Sequence, residues 1–147
     1  MNAMTKQPRI IAVSNQKGGV AKSTTTVNVG VGLSKLGKKV LVIDADPQGS
    51  LSVSLGIRNP DELEASLSTL MQSVIEDEPL DEENILFHHE EGIDLIPSNI
   101  ELSGIEISLF NVMSRELILK NCIKHFKESY DYILINCILK HRSDHFH

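Results

Sequence analysis

Apolar positions along this chain alternate between short runs suited to buried strands and longer stretches with helical spacing. Ile10-Ile11-Ala12-Val13 predicts a strand over about 9–14, and Lys39-Val40-Leu41-Val42-Ile43 predicts a second over about 39–44. Between them, Val27, Val31, Leu33 and Leu36 supply the apolar side of a helix from about Lys22 to Leu36. Gly30 and Gly32 are expected to let it lie close on a sheet, with Gly37 as its C-cap. Asn59 reads as an N-cap followed by Pro60 at the first helical position and Asp61 and Glu62 in the first turn. Leu63, Leu67, Leu70, Met71 and Val74 then fall at i, i+4, i+7, i+8 and i+11, the spacing of one amphipathic helix.

Ile85-Leu86-Phe87 and Ile93-Asp94-Leu95-Ile96 are strand candidates, the second stopped by Pro97. Ser98 with Glu101, and Ser103 with Glu106, both have capping-box spacing, so a helix is expected to begin near one of them. Ser114 is expected to cap a further helix whose buried stripe is Leu119, Cys122, Ile123 and Phe126. Tyr132-Ile133-Leu134-Ile135 is the last strand. Alternating strands and helices predict an α/β fold, a parallel sheet with helices on both faces.

The chemistry lies where the strands end. Residues 16 to 24 read Gln-Lys-Gly-Gly-Val-Ala-Lys-Ser-Thr between the first strand and its helix. A Gly-rich turn there presents backbone N–H groups to a phosphate, the helix N-terminus adds partial positive charge, and Lys22 adds a full one. The general G-x-x-x-x-G-K-[ST] template wants Gly at positions 16 and 21, where this chain has Gln16 and Ala21, and Lys17 stands before the Gly pair. The second strand ends in Asp44-Ala45-Asp46-Pro47-Gln48-Gly49-Ser50, which puts both carboxylates at its carboxyl end.

Lys17-Gly18-Gly19-Val20-Ala21-Lys22-Ser23 resembles the deviant Walker A motif, K-G-G-x-x-K-[ST], of the ParA/Soj partition ATPases, whose relatives include MinD and the nitrogenase iron protein. The D-x-D-P-Q-G-S segment and Leu95 to Gly104 are similar to the same family, so the resemblance covers nearly all of residues 8 to 136. It implies a P-loop NTPase-like sheet binding ATP and Mg2+, the nucleotide cradled by Lys17, Gly18, Gly19, Val20, Ala21, Lys22, Ser23 and Thr24. By the same resemblance Lys17 crosses a homodimer interface to the partner's nucleotide, Ser23 ligates magnesium, Asp44 supports the magnesium shell, and Asp46 orients the attacking water. Lys17, Lys22 and Asp46 are then the catalytic residues. Family members carry aspartate at the place of Asn136, the Walker B position. An asparagine accepts a hydrogen bond there but brings no negative charge against a divalent cation.

Composition narrows the class. The 147 residues suit one domain with an ordinary apolar content of 41%, and no run of 18 apolar residues or signal-peptide core is present. A cytoplasmic protein is expected, nucleoid-associated if the family function is intact. Residues 1 to 50 hold seven of the 14 Lys+Arg and two of the 20 acids, whereas residues 61 to 94 hold 12 acids and no Lys or Arg. The basic half carries the expected phosphate site, and the acidic stretch would repel DNA and membrane surfaces. Cys122 and Cys137 have neither metal nor disulfide spacing and read as reduced core thiols, unlike the iron protein's cluster cysteines. The membrane-binding terminal helix of MinD has no counterpart either.

Beyond residue 136 the family pattern of a Pro-Pro-Ser switch and another half-domain is replaced by a divergent segment, 137–147. His141, His145 and His147 around Asp144 read as a disordered tail rather than a metal site. The expected organisation is residues 1–136 as the N-terminal part of a ParA-like P-loop ATPase domain, in a truncated or frame-shifted chain. The missing half would carry the adenine pocket and the surface for nonspecific DNA binding, and its absence would leave a central strand as an exposed edge. Two functions compete: a nucleotide-controlled dimer switch in chromosome or plasmid partitioning, stimulated by a ParB-like protein, and a non-hydrolysing remnant that keeps phosphate binding or only the fold.

Overall fold

The computed structural model describes residues 7–15, 20–108 and 112–138. Its centre is a five-stranded sheet of β1 (Arg9–Asn15), β2 (Val40–Asp44), β3 (Phe87–His88), β4 (Ile93–Ile96) and β5 (Tyr132–Ile138), in the order β1-β5-β2-β4-β3. β1, β5, β2 and β4 are parallel, and the two-residue β3 joins β4 antiparallel. The last strand in sequence thus sits between the first two. Its register places Asn136 opposite Val13 on one side and Asp44 on the other.

Helices cover both faces, because successive strand side chains point to opposite sides. Leu41, Ile43, Ile133 and Ile135 pack with Leu67, Leu70 and Met71 of α3 (Leu67–Ile75), Leu102 of α5 (Glu101–Ser108), and Leu119, Cys122 and Ile123 of α6 (Val112–Lys124). Val40, Val42, Leu95 and Leu134 pack on the opposite side with Leu51 of α2 (Ser50–Ser54), Leu55 and Ile57, and with Val27 and Val31 of α1 (Val20–Lys35). Gly30 lies close on the sheet: a Cβ there would touch Leu134, Val42 and Ile93 at 3.6 to 3.7 Å. Gly32 has nothing within 4 Å of such an atom, so only one of the two glycines serves this approach. Gly37, at φ 86°, ends α1 as expected. Neither Cys122 nor Cys137 is in a disulfide, both are buried, and burial pushes the Cys122 thiol up to about 12.

Local signals misplace several elements. The helix expected from Pro60 is a single 3-10 turn, Pro60–Glu62, followed by extended Leu63 and a new start at Leu67. Leu63 consequently packs on the α1 side of the sheet, whereas Leu67, Leu70 and Met71 pack on the other. Tertiary bonds overrule the sequence pattern here. Leu67 N–H donates to Pro97 O at 2.8 Å, Ser66 N–H to Thr69 Oγ1 at 3.1 Å, and Asp61 Oδ1 accepts Ile100 N–H at 3.0 Å instead of serving its own helix.

The Ile85-Leu86-Phe87 strand becomes the short helix α4 (Glu82–Ile85), capped by Asp81, with only Phe87 and His88 in β3. At the start of α5, Asn99 Oδ1 accepts Glu101 N–H at 3.1 Å, so neither serine-based capping box forms. Ser114 lies inside α6 rather than at its cap.

Among the described residues β1 pairs with β5 alone, forming one edge of the sheet, and leaves Ile10 46% and Ile11 39% exposed. A cavity of about 290 Å³ beside it is lined by Ile10, Ala12, Leu119, Ile123 and Lys124 among others.

Candidate functional site

Parallel strands bring their carboxyl ends to one edge of the sheet, and of the side chains singled out from the sequence Ser23, Asp44, Asp46 and Asn136 converge there. Asp44 is the last residue of β2, Asn136 stands beside it in β5, and α1 begins after β1. Lys17, Gly18 and Gly19 lie outside the described residues, as do the side chains of Val20, Ala21 and Lys22. Thr24 is exposed, and Ser23, the fourth residue of α1, is buried to 1% exposure with no partner for its Oγ among the described residues. A hydroxyl buried without a partner costs free energy unless something else completes it.

A chain of hydrogen bonds runs across the strand ends. Thr26, one helical turn after Ser23, donates from Oγ1 to Asn136 Oδ1 at 3.3 Å. Asn136 Nδ2 donates to Asp44 Oδ1 at 3.4 Å, and its backbone carbonyl accepts Ala45 N–H at 2.7 Å. Asp44 Oδ1 also receives the Asp46 N–H at 3.2 Å, while Oδ2 receives Ser52 N–H at 3.0 Å and Ser52 Oγ–H at 2.7 Å. Burial raises the Asp44 carboxyl above the usual carboxylate range, and the bonds from Ser52, Asp46 and Asn136 offset only part of that rise. Asp46, 2% exposed, accepts Gln48 N–H on Oδ1 at 3.0 Å. Gly49 turns the chain at φ 67°, a conformation that side chains other than glycine resist.

The structure therefore brings Ser23, Asp44, Asp46 and Asn136 to one edge, all buried. Thr26, Ser52 and Ser98 join them, three residues that no sequence motif places there. Thr26 was legible as the i+3 neighbour of Ser23 on one helix face. Ser52 and Ser98 were not, because they are near neither each other nor the loop in sequence. Among the described residues no group of three or more His, Cys, Asp and Glu forms a metal cluster, and no helix is long and apolar enough to cross a membrane.

A model of the AAA domain family matches residues 8–140. The chain is 41% identical over 129 residues to the sporulation initiation inhibitor protein Soj of Bacillus subtilis, covering 88% of this chain and 49% of Soj. It is 35% identical over 131 residues to the chromosome partitioning protein ParA of Myxococcus xanthus, covering 88% of this chain and 44% of ParA. This chain belongs to the AAA domain family, as a ParA/Soj-type member.

The crystal structure of cobyrinic acid a,c-diamide synthase from Mycobacterium smegmatis with bound ADP and magnesium superposes with a TM-score of 0.78 at 37% identity, covering 89% of this chain and 51% of that one. The fold is thus the P-loop NTPase-like α/β class that the sequence predicts. This ParA/Soj-type chain spans about half the length of the relatives it matches.

Proposed function

We propose that this chain binds ATP with Mg2+ at the carboxyl edge of its sheet, as part of a ParA-like ATPase that acts as a nucleotide-controlled dimer switch in chromosome or plasmid partitioning. The observation that carries the reading is Ser23 Oγ, buried and unpartnered in the first turns of the helix that follows the phosphate-loop sequence. A hydroxyl in that state fits a cation ligand, beside the buried acid Asp46. Support also comes from the names of its relatives, Soj and ParA, and from the ADP and magnesium held by the Mycobacterium smegmatis neighbour.

In this reading Lys17, Gly18, Gly19, Val20, Ala21, Lys22 and Thr24 embrace the phosphates through backbone N–H groups and lysine charge. Magnesium, when bound, neutralises charge developing on the phosphoryl group, and Ser23 holds it. Asp46 orients water, and Lys22 and Lys17 stabilise negative charge at the transferred group. A homodimer formed around ATP, a ParB-like stimulating protein, and a cytoplasmic, nucleoid-associated setting complete the proposal. The segment 137–147 belongs to it as a divergent tail.

One observation favours the alternative, a non-hydrolysing remnant. Asn136 satisfies Asp44 through its own amide, so this pair requires no cation. Purified protein given ATP and magnesium separates the two. Turnover abolished by Lys22→Ala supports the ATPase, whereas binding without turnover, unaffected by Asp46→Ala, supports the remnant.

A further inference from the structure

We propose that Ser52 and Ser98 are positioning residues of this site: together they hold Asp44 as a bracket for the Asp46 backbone, its acceptor positions filled, rather than as a ligand for a cation. The inference rests on the reading above only in giving Asp46 a role at the nucleotide.

An ionised carboxylate is acceptor-only, with about four lone-pair positions on its two oxygens. Four donors reach Asp44, which is fully buried: Asp46 N–H and Asn136 Nδ2 on Oδ1, and Ser52 N–H and Oγ–H on Oδ2. A metal or a metal-bound water would have to compete with these four donors for the same oxygens. What the carboxylate does instead is gather three pieces of chain. It grips the peptide of Asp46, the first turn of α2 and the amide of Asn136.

The direction of the Ser52 hydroxyl is fixed from behind. Ser98 N–H donates to Ser52 Oγ at 3.0 Å, so the hydroxyl's one proton is directed at Asp44. A second contact joins the same two loops: a Cβ on Gly49 would lie 3.0 Å from Ser98 O. The turn after β4 thereby buttresses the turn after β2, and Asp46 lies inside the segment so held. Deleting one oxygen, that of Ser52, removes a donor from Asp44 and the acceptor of Ser98 N–H together. Both lost partners are buried, where an unmade bond is costly.

Amide hydrogen exchange on the full chain, with ATP binding measured at graded magnesium, tests this. Ser52→Ala is expected to speed exchange of the Asp46 and Ser98 amides by about tenfold or more while the Val42 and Leu134 amides hold, as local opening without global unfolding requires. Ser52→Thr, which keeps the hydroxyl, should restore protection. Asp44→Asn should speed the Asp46 or Ser52 amide and leave the magnesium requirement of ATP binding unchanged. It serves as the second variant should Ser52→Ala fail to fold. Unchanged exchange at Asp46 and Ser98, or an Asp44→Asn protein that needs more magnesium while Ser52→Ala does not, overturns the bracket. If the unaltered chain binds no ATP, the ATPase reading fails and the exchange measurements alone decide the positioning role.

Discussion

Asn136 donates its side-chain amide to Asp44 across adjacent parallel strands, at 3.4 Å, and so sets a neutral amide against a buried carboxyl group. An aspartate at 136 would face Asp44 as a second buried carboxylate. Like charges at that separation need a cation or a proton between them.

Asn136→Asp is therefore expected to destabilise the protein by about 2 kcal/mol without divalent cation, from the lost amide bond and the added repulsion. Magnesium should recover part of the loss in the variant and little in the unaltered chain. Thermal unfolding with and without magnesium measures both. Equal melting of the two proteins in chelator would sink the argument.

Gly49 makes a second expectation. At its φ of 67° a side chain is strained, and a Cβ 3.0 Å from Ser98 O would press on that carbonyl. Gly49→Ala should cost about 1–3 kcal/mol, the usual range for forcing such a backbone. Denaturant unfolding reads the loss, and a variant as stable as the parent would mean that the turn relaxes without strain.

His88 bridges Glu83 and Asp94 at the opposite end of the sheet, with Nδ1 2.6 Å from Asp94 Oδ1, and Tyr130 O–H donates to the other Asp94 oxygen at 2.6 Å. Glu83 first, then Asp94, raises the His88 value above 6.5. A group raised on folding gives stability that is present in full below its unfolded value and lost as pH climbs through its folded value. Stability from His88 should accordingly fade above about pH 6.5, and solvent screening keeps it to about 0.5 kcal/mol. A proton-resonance titration should place the His88 midpoint above 6.5, and His88→Gln should flatten this part of the stability profile.

Ile10 is a surface residue on a strand edge, at 46% exposure, where apolar side chains invite edge pairing. Ile10→Lys should change stability by no more than about 0.5 kcal/mol while reducing concentration-dependent association seen by light scattering. If stability collapses instead, Ile10 is part of the core.

Much of the frame was legible because strands and caps depend on near neighbours. Val40 to Asp44 read as a strand ending in carboxylates, Gly37 as a stop, and Leu119, Cys122, Ile123 and Phe126 as a buried stripe, and each stands so. The region after Asn59 did not, since Pro60, Asp61 and Leu67 make their decisive bonds with residues 97 to 100. A helical spacing of leucines carries no information about such partners. Leu63 kept the period and went to the other face.

By itself the sequence determined the alternation of strands and helices, the phosphate-loop signature and the placing of Asp44 and Asp46 at a strand end. Only the tertiary structure decided that Thr26, Asn136, Asp44, Ser52 and Ser98 form one hydrogen-bonded chain. Parallel strand pairing and the packing of α1 on the sheet bring together residues separated by 92 and 110 positions, and burial then obliges each polar group to find a partner among those beside it.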